Sequence, residues 1–409
     1  MAPNILFQEG KIGRLILPNR IVRAATAETM ATERGEVTDQ LVSLYESLAK
    51  GRSALMLLGH AYVHPRGQCS YRQIGIYEDS FIPGLKRLVN AVHRHKGFIF
   101  AQLSHAGAQS RVDTIPLVPS PASDSITGPP LAEATESEIY EVIESFGAAS
   151  NRAKEAGFDG IHIQAGNGYL ISGFLSPLTN RRSDGWGGDP EGRRRLAISV
   201  YRAIRKAVGD QVPVTMKLGV ADAFDGGLRE EESVTLAAQL EKLGLDGIEA
   251  SCGNAPTSNS FAVRPYVCVD RRRALADHLY HRLFSKPVPE AYFLEYARAL
   301  KKRLKIPVIL VGGLRTVERM AKVVAEGDAD FVAMSRPFIR EPDLVSLIER
   351  GHTRIAKCTS CNLCLLHSGK DPLRCWRESW GLLFNHAWKY YVRDRLVGRE
   401  KVPTGRPSS

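Results

Sequence analysis

Gly160 to Arg195 reads GIHIQAGNGYLISGFLSPLTNRRSDGWGGDPEGRRR. Ile161, Ile163 and Ala165 alternate with His162 and Gln164, and the run then breaks into a glycine-punctuated polar loop carrying Asn167 and Tyr169. A strand that delivers polar side chains at its C-terminal end is how an α/β barrel builds its active face. A second polar segment, Leu178 to Gly188, precedes a helix that opens near Pro190. So long a connection inside a compact domain is expected to carry function.

On either side of this stretch, short apolar runs alternate with helical patterns. Strands are expected at Arg20 to Thr26, Ala54 to His60, Phe98 to Ser104, Gly160 to Gly166, Val214 to Val220, Gly247 to Gly253, Val308 to Gly313 and Phe331 to Arg336. Most are continuous apolar runs, as in parallel strands buried on both faces. Amphipathic helices are expected at Thr38 to Lys50, Ser80 to Lys96, Glu136 to Ala156, Glu191 to Val208, Glu230 to Leu243, Glu290 to Leu304, Thr316 to Glu326 and Glu341 to Glu349. Gly51, Gly97, Gly157, Gly209, Gly244 and Gly327 stand where left-handed C-caps fall. Eight strand and helix pairs, with no glycine fingerprint after the first strand, predict an α/β fold of the (β/α)8 TIM barrel type rather than an open doubly wound sheet. The barrel is expected over residues 1–350, with long βα loops at Ser104 to Glu133, Gly166 to Asp189 and Cys252 to Pro289. A cysteine-containing extension follows over 351–409.

Composition narrows the class. The chain of 409 residues is 44% apolar and 24% charged, the balance of a soluble globular protein. No apolar run approaches the roughly 18 residues of a membrane span, and the N-terminus lacks the apolar core of a secretory signal. An odd number of cysteines, seven, fits a reducing compartment, and the protein is expected in the cytoplasm. The net charge of +11 is spread over short arginine runs without aromatic interleaving, so a solvated basic surface is favoured over a nucleic-acid or membrane role. The partner expected is a small molecule, with a homo-oligomer left open.

The strand ends carry the chemistry. Val311-Gly312-Gly313 and Met334-Ser335-Arg336 end the last two strands, where barrels bind phosphate through glycine backbone and a fixed cation. Thr26, Gln102, His105, Gln164, Asn167, Tyr169 and Lys217 stand at the other ends. Lys217 reads either as a Schiff-base nucleophile, making the chain a barrel aldolase, or as a cation facing an electron-rich ring. Tyr169, with an ordinary phenol pKa of about 10, suits proton donation to a developing carbanion. Asn167 and Gln164 offer neutral donors to a carbonyl oxygen that gains charge. Together they point to addition to an activated double bond.

At this level the residues resemble a known family. Asn19 to Thr26, Ala101 to Gly107, Gly168-Tyr169-Leu170 through Phe174-Leu175-Ser176-Pro177, Asn180-Arg181-Arg182 with Asp184 and Gly187-Gly188, and Val311-Gly312-Gly313 are similar, in order, to the Old Yellow Enzyme family of FMN-dependent NAD(P)H:flavin oxidoreductases. The resemblance implies FMN with its phosphate on Gly312, Gly313, Ser335 and Arg336. Its ring would lie on Ala24, Ala25, Thr26 and Ala27 near Gly59, with Gln102 at the pyrimidine edge and Lys217 beside N1. It also implies hydride transfer from NAD(P)H, by way of the flavin, to the β-carbon of an α,β-unsaturated carbonyl compound. Tyr169 would then protonate the α-carbon.

Two departures stand out. Where the family pairs His-x-x-His or His-x-x-Asn, this chain has Gln164-x-x-Asn167, which can donate but not carry charge. His162, one inward position deeper, is not expected to substitute. On strand 1 the flavin-tuning Cys or Thr falls at Thr26 or, by the strictest count, at Ala27.

Finally, Cys358-x2-Cys361-x2-Cys364-x10-Cys375 has the crowding of an iron-sulfur or zinc site. It resembles the [4Fe-4S] segment of the dienoyl-CoA reductase and trimethylamine dehydrogenase branch, without that branch's following nucleotide-binding domain. His367 is read as a loop residue rather than a ligand. An iron-sulfur flavin dehydrogenase or demethylase, and a flavin binder without turnover, are the further readings.

Overall fold

Eight parallel strands close on themselves in the computed structural model, which describes residues 2–112, 114–121, 131–254, 289–366 and 372–389. They are β1 (Ile21–Arg23), β2 (Leu55–Leu57), β3 (Ile99–Ser104), β4 (Gly160–Ala165), β5 (Val214–Gly219), β6 (Gly247–Ser251), β7 (Val308–Val311) and β8 (Phe331–Met334). Each pairs with the next, and β8 returns to β1 with Ala333 opposite Val22. The expected (β/α)8 barrel is the fold found. Eight helices alternate with the strands: α1 (Asp39–Lys50), α2 (Ile82–His93), α3 (Glu136–Glu155), α4 (Pro190–Val208), α5 (Glu230–Lys242), α6 (Leu294–Arg303), α7 (Val317–Ala325) and α8 (Leu344–Glu349).

Side-chain oxygens start the helices where sequence places them. Thr38 accepts from the Leu41 amide, Asp189 from Gly192 and Thr316 from Arg319, and Thr135 and Glu138 form a reciprocal capping box. Each such cap is worth about 1 kcal/mol. At the other ends Gly157, Gly209, Gly244 and Gly327 have positive φ, as expected. Gly51 and the residue before Gly97 depart from the expectation. Gly51 is right-handed at φ −72°, and Arg52 (φ 68°) and Lys96 (φ 57°) take the left-handed turn instead. Gly51 is required by crowding, since a Cβ there would fall 2.0 Å from the Pro342 carbonyl oxygen.

Strand alternation divides the core in two. Val22, Leu55, Leu57, Phe100, Ile309 and Phe331 fill the lower barrel, joined by Ile12 and Leu17 of an N-terminal hairpin (Gly10–Ile12 with Leu15–Leu17) that plugs its floor. Ile161, Ile163, Met216 and Leu218 face outward into the larger core shared with the helices. Apolar filling of the lower barrel leaves the inward positions nearer the C-terminal end to polar side chains.

Beyond α8 the chain folds back on the top of the barrel. The Ala356 amide donates to Arg315 O (2.9 Å), that of Lys357 to Glu341 Oε2 (2.5 Å) and that of Leu373 to Glu28 O (2.9 Å). The cysteine segment is thus tied to the loops after β7, β8 and β1. Most of the Cys252 to Pro289 connection with Arg271 to Arg273, the middle of Ser104 to Glu133, and His367 lie outside the described residues. Among the described residues no helix is long and apolar enough to cross a membrane.

Candidate active site

The ends of β1, β2 and β8 meet at one corner. The Ala24 amide donates to Met334 O (2.9 Å), and Thr26 Oγ1 lies 2.8 Å from Ser335 Oγ. Beneath them Arg23, buried, donates to Glu28 (2.7 Å), Tyr45 OH (3.0 Å) and Leu57 O (2.8 Å). Tyr45 OH donates to Glu28 and accepts from the Gly59 amide (2.8 Å). A Cβ on Gly59 would lie 1.8 Å from the Glu28 carboxylate, so only glycine lets these strand ends close up. The segment Ala24 to Ala27 and Gly59 therefore form one fixed platform. Gly312 and Gly313 have φ of 119° and 74° and lie against the Tyr292 ring, with no room for a Cβ. Arg336 hydrogen-bonds Asn362 and borders the cysteines as well.

Across the barrel, β4, β5 and β6 carry a buried charged cluster. Lys217 stands in register between Gln164 and Glu249, and its ammonium donates to Glu249 Oε1. Glu249 Oε2 lies 3.0 Å from His162 Nε2, and His162 Nδ1 is 2.8 Å from Thr215 Oγ1. Glu249 is fully buried. Burial alone would raise its pKa; Lys217 and His162 overcome that and hold the carboxyl at about 2. His162, expected not to replace the missing site histidine, is engaged by Glu249 inside the barrel.

Two amides in the same interior are unsatisfied by protein. Gln102 Nε2 and Gln164 Oε1 are buried without a hydrogen-bond partner, as is His105 Nε2. Buried polar atoms left open in this way point to a missing ligand. Asn167, left-handed at φ 59°, accepts from Ser251 Oγ (3.1 Å) and Cys252 Sγ (3.3 Å) through Oδ1, which leaves its NH2 as the end available to a ligand.

Tyr169 opens the short helix Leu170–Leu175, and its phenol meets residues that sequence reading missed. His60 Nε2 and Cys69 Sγ each lie 3.5 Å from Tyr169 OH, and Gln73 supports both. Burial, with Cys69 beside it, holds the phenol well above its usual pKa. All three supporting residues come from the stretch after β2, where a lone His, Cys and Gln carry no periodic signal.

The Leu178 to Gly188 segment is held largely by its own polar groups. Asn180 Nδ2 donates to Phe174 O and Trp186 O (2.8 Å each), and Arg182 to Ala134 O (2.7 Å) and Asp184 (2.6 Å). Trp186 is buried under Tyr140 and Arg195. These polar groups bind one another and hold the loop to the connection after β3.

Cys358, Cys361, Cys364 and Cys375 line one cavity with Arg336 and Arg340. Burial pushes Cys364 up to about 12 and also raises Cys358 and Cys375. Among the described residues no three His, Cys, Asp or Glu side chains stand close enough together to hold a single metal ion.

The open Nε2 donor of Gln102, the left-handed glycines Gly312 and Gly313 with Arg336, and the Lys217 cation fit a flavin phosphate in the chemistry of their polar groups. Residues 5–354 match the NADH:flavin oxidoreductase / NADH oxidase family. A 4,4'-dithiodibutanoate disulfide reductase of Rhodococcus erythropolis is 32% identical over 420 residues, with 98% of each chain covered. An NADH oxidase of Thermoanaerobacter brockii is 35% identical over 88% of this chain but 53% of its own, so the chain spans about half the length of that relative. Among solved structures, a 2-naphthoyl-CoA reductase superposes with a TM-score of 0.81 at 27% identity, over 94% of this chain and 58% of that one. Morphinone reductase, at 24% identity and a TM-score of 0.70 over 87% and 92%, shares the fold. Barrel and matched sequence agree: the chain belongs to the NADH:flavin oxidoreductase / NADH oxidase family, the Old Yellow Enzyme group of NAD(P)H-dependent oxidoreductases, for which FMN is the expected cofactor.

Proposed function

We propose that the protein reduces the activated C=C of an α,β-unsaturated carbonyl compound, with Tyr169 as proton donor. When bound, FMN supplies the hydride it has received from NAD(P)H. Ala24, Ala25, Thr26, Ala27 and Gly59 would hold its ring and Gln102 its pyrimidine edge. Gly312, Gly313, Ser335 and Arg336 would hold its phosphate. Lys217, fixed by Glu249, would supply positive charge beside the ring. The same ion pair argues against a Schiff-base aldolase, because the nitrogen is engaged by a carboxylate rather than free to attack a carbonyl. Gln164 and Asn167 donate to the substrate carbonyl oxygen, and Tyr169 delivers the proton.

The observation that supports this reading is the partly buried phenol of Tyr169, at the end of the β4 loop that also carries Asn167 with its NH2 end available, together with the open Nε2 donor of Gln102 inside the barrel. The test is anaerobic reduction by NADPH, followed by 2-cyclohexenone or 4,4'-dithiodibutanoate. Bleaching by NADPH with recolouring by the enone is expected. A colourless preparation, or recolouring by the disulfide alone, would overturn the reading.

Gln164 gives a prediction of its own. Gln164→His restores a chargeable donor and should tighten phenol binding about tenfold, the worth of one charge-assisted hydrogen bond. The change is read as a long-wavelength absorption band. An unchanged titration would remove Gln164 from the ring face.

The cysteine cavity supports a second reading, in which electrons leave through an iron-sulfur centre to a partner. Four cysteines round one cavity supply the four thiolates that a [4Fe-4S] cluster takes, one to each iron. Cys358, Cys361, Cys364 and Cys375 would be its ligands. Iron and acid-labile sulfide at about four each per chain are expected, and Cys361→Ser should lose them. Zinc at one per chain without sulfide would overturn the cluster.

A further inference from the structure

We propose that His60 is a positioning residue that aims the proton of Tyr169. The inference rests on the reading of Tyr169 as proton donor and adds a residue outside the predicted site. It starts from the amide of Gln73. Its Oε1 accepts from the Cys69 amide (2.6 Å) and the Ser70 amide (3.4 Å), so the other end must be the NH2. That NH2 donates to His60 O and to His60 Nδ1, 2.7 Å each. Nδ1 is therefore an acceptor and carries no proton. Ser104 Oγ, 3.4 Å from the same nitrogen, donates its hydrogen to Ala61 O (3.3 Å) and leaves Nδ1 to Gln73.

His60 is 8% exposed, and burial lowers its pKa to about 4, which keeps it neutral at pH 7. A neutral imidazole has one N–H, and with Nδ1 occupied that hydrogen is on Nε2. Nε2 faces Tyr169 OH at 3.5 Å, the two rings meeting edge to face with centroids 5.3 Å apart. His60 therefore donates and the phenol oxygen accepts.

Two consequences follow for Tyr169. With a lone pair of its oxygen taken by His60, its own O–H must point elsewhere. Cys69 Sγ is the resting acceptor at 3.5 Å, because the cysteine's S–H is directed to Gln109 O at 3.3 Å. The hydrogen bonds run one way: Gln73 to His60, His60 to Tyr169, Tyr169 to Cys69. A bound substrate replaces the weak sulfur acceptor. As the O–H bond breaks and a C–H bond forms at the α-carbon, negative charge grows on the phenol oxygen, and the His60 N–H already points at it. His60 gives up no proton, since Nδ1 has no free lone pair to take one in return.

The test is a double-mutant cycle read on enone-driven reoxidation, with His60→Leu, His60→Gln, Tyr169→Phe and the His60→Leu/Tyr169→Phe pair. His60→Leu should slow reoxidation about 10-fold to 100-fold, the effect of one lost donor to a charged oxygen, without slowing reduction by NADPH. His60→Gln, which keeps an N–H, should recover part of the rate. In the Tyr169→Phe background His60→Leu should add nothing. A second readout needs no turnover: 15N NMR of histidine-labelled holoenzyme, assigned by loss of the His60 signals in His60→Gln, should show the Nε2–H tautomer. An Nδ1–H tautomer, full activity of His60→Leu, or additive losses in the double variant would overturn the proposal. If Tyr169→Phe alone is harmless, the proton-donor reading fails first, and the two failures are told apart.

Discussion

Tyr169→Phe is expected to slow reoxidation of the NADPH-reduced enzyme by an enone about 10²-fold to 10⁴-fold, the usual worth of a placed general acid, while reduction by NADPH stays largely intact. The split follows from where the phenol stands. The hydrogen bonds of the Tyr169 hydroxyl go to His60 and Cys69, not to the residues proposed to hold the flavin ring. Its raised pKa keeps the phenol protonated across the working range, and a substrate therefore meets the acid form at any neutral pH. The cost of that high pKa is a weak driving force for proton release, which a donor to the phenolate oxygen offsets. A nitroalkene, whose carbanion is stabilised by its own nitro group, should lose much less rate than a ketone in the Phe variant. Stopped-flow measurement of both half-reactions with both substrates checks this. Equal loss in the two half-reactions would remove Tyr169 from the proton-donor role and mark the substitution as structural.

Local signals made most of the architecture legible. Thr38, Thr135, Asp189 and Thr316 mark helix starts because capping needs only the next three residues, and buried parallel strands announce themselves by continuous apolar runs. Gln102 and Lys217 are lone polar residues in such runs and Gln164 lies on the polar face of an alternating one, and pairing of β3, β4 and β5 brings the three to one interior. Glu249 sits in an equally apolar run, GIEAS, and could have been found by the same rule. What the run cannot reveal is that Lys217 and Glu249 share a register position, because pairing between strands 32 residues apart is set by barrel closure and not by either segment. His162 illustrates the same limit. Its alternation shows that it points inward, but only the neighbouring strands show that it meets Glu249 rather than a substrate. His60, Cys69 and Gln73 were hidden more deeply, since they act through one another across a loop with no repeating pattern. In the Leu178 to Gly188 loop the sequence does not reveal that Arg182 and Asp184 bond to each other and Arg182 to a nearby carbonyl.

Glu249→Gln should destabilise the fold by about 3–5 kcal/mol at pH 7, the cost of leaving a buried charge without its partner. Lys217 is 6% exposed, and Glu249 is the carboxylate that its ammonium contacts. A neutral amide there can still accept one hydrogen bond but cannot balance the charge. Replacing both partners, Lys217→Met with Glu249→Leu, removes the stranded charge and should recover much of the loss while lowering FMN affinity. The pH dependence has a defined sign. A carboxyl whose folded pKa is depressed to about 2 contributes stability that is complete above its ordinary value of 4.5 and is lost as pH falls from there toward 2. Buried neutral imidazoles act in a higher window. His60, lowered to about 4, and His105, lowered to about 3, stay neutral in the folded protein while the unfolded chain takes up protons below 6.5. Stability should thus fall by about 1.4 kcal/mol per pH unit for each imidazole between 6.5 and its folded value. Below 4.5 Glu249 adds to that slope in the parent and not in Glu249→Gln. Urea titrations at pH 7, 5.5 and 4, each run at two FMN concentrations so that the ligand contribution RT ln(1 + [FMN]/Kd) of each protein can be subtracted, measure both quantities. A Glu249→Gln protein as stable as the parent at pH 7 would mean that the Lys217 charge is balanced elsewhere, and the role assigned to that ion pair would have to be given up.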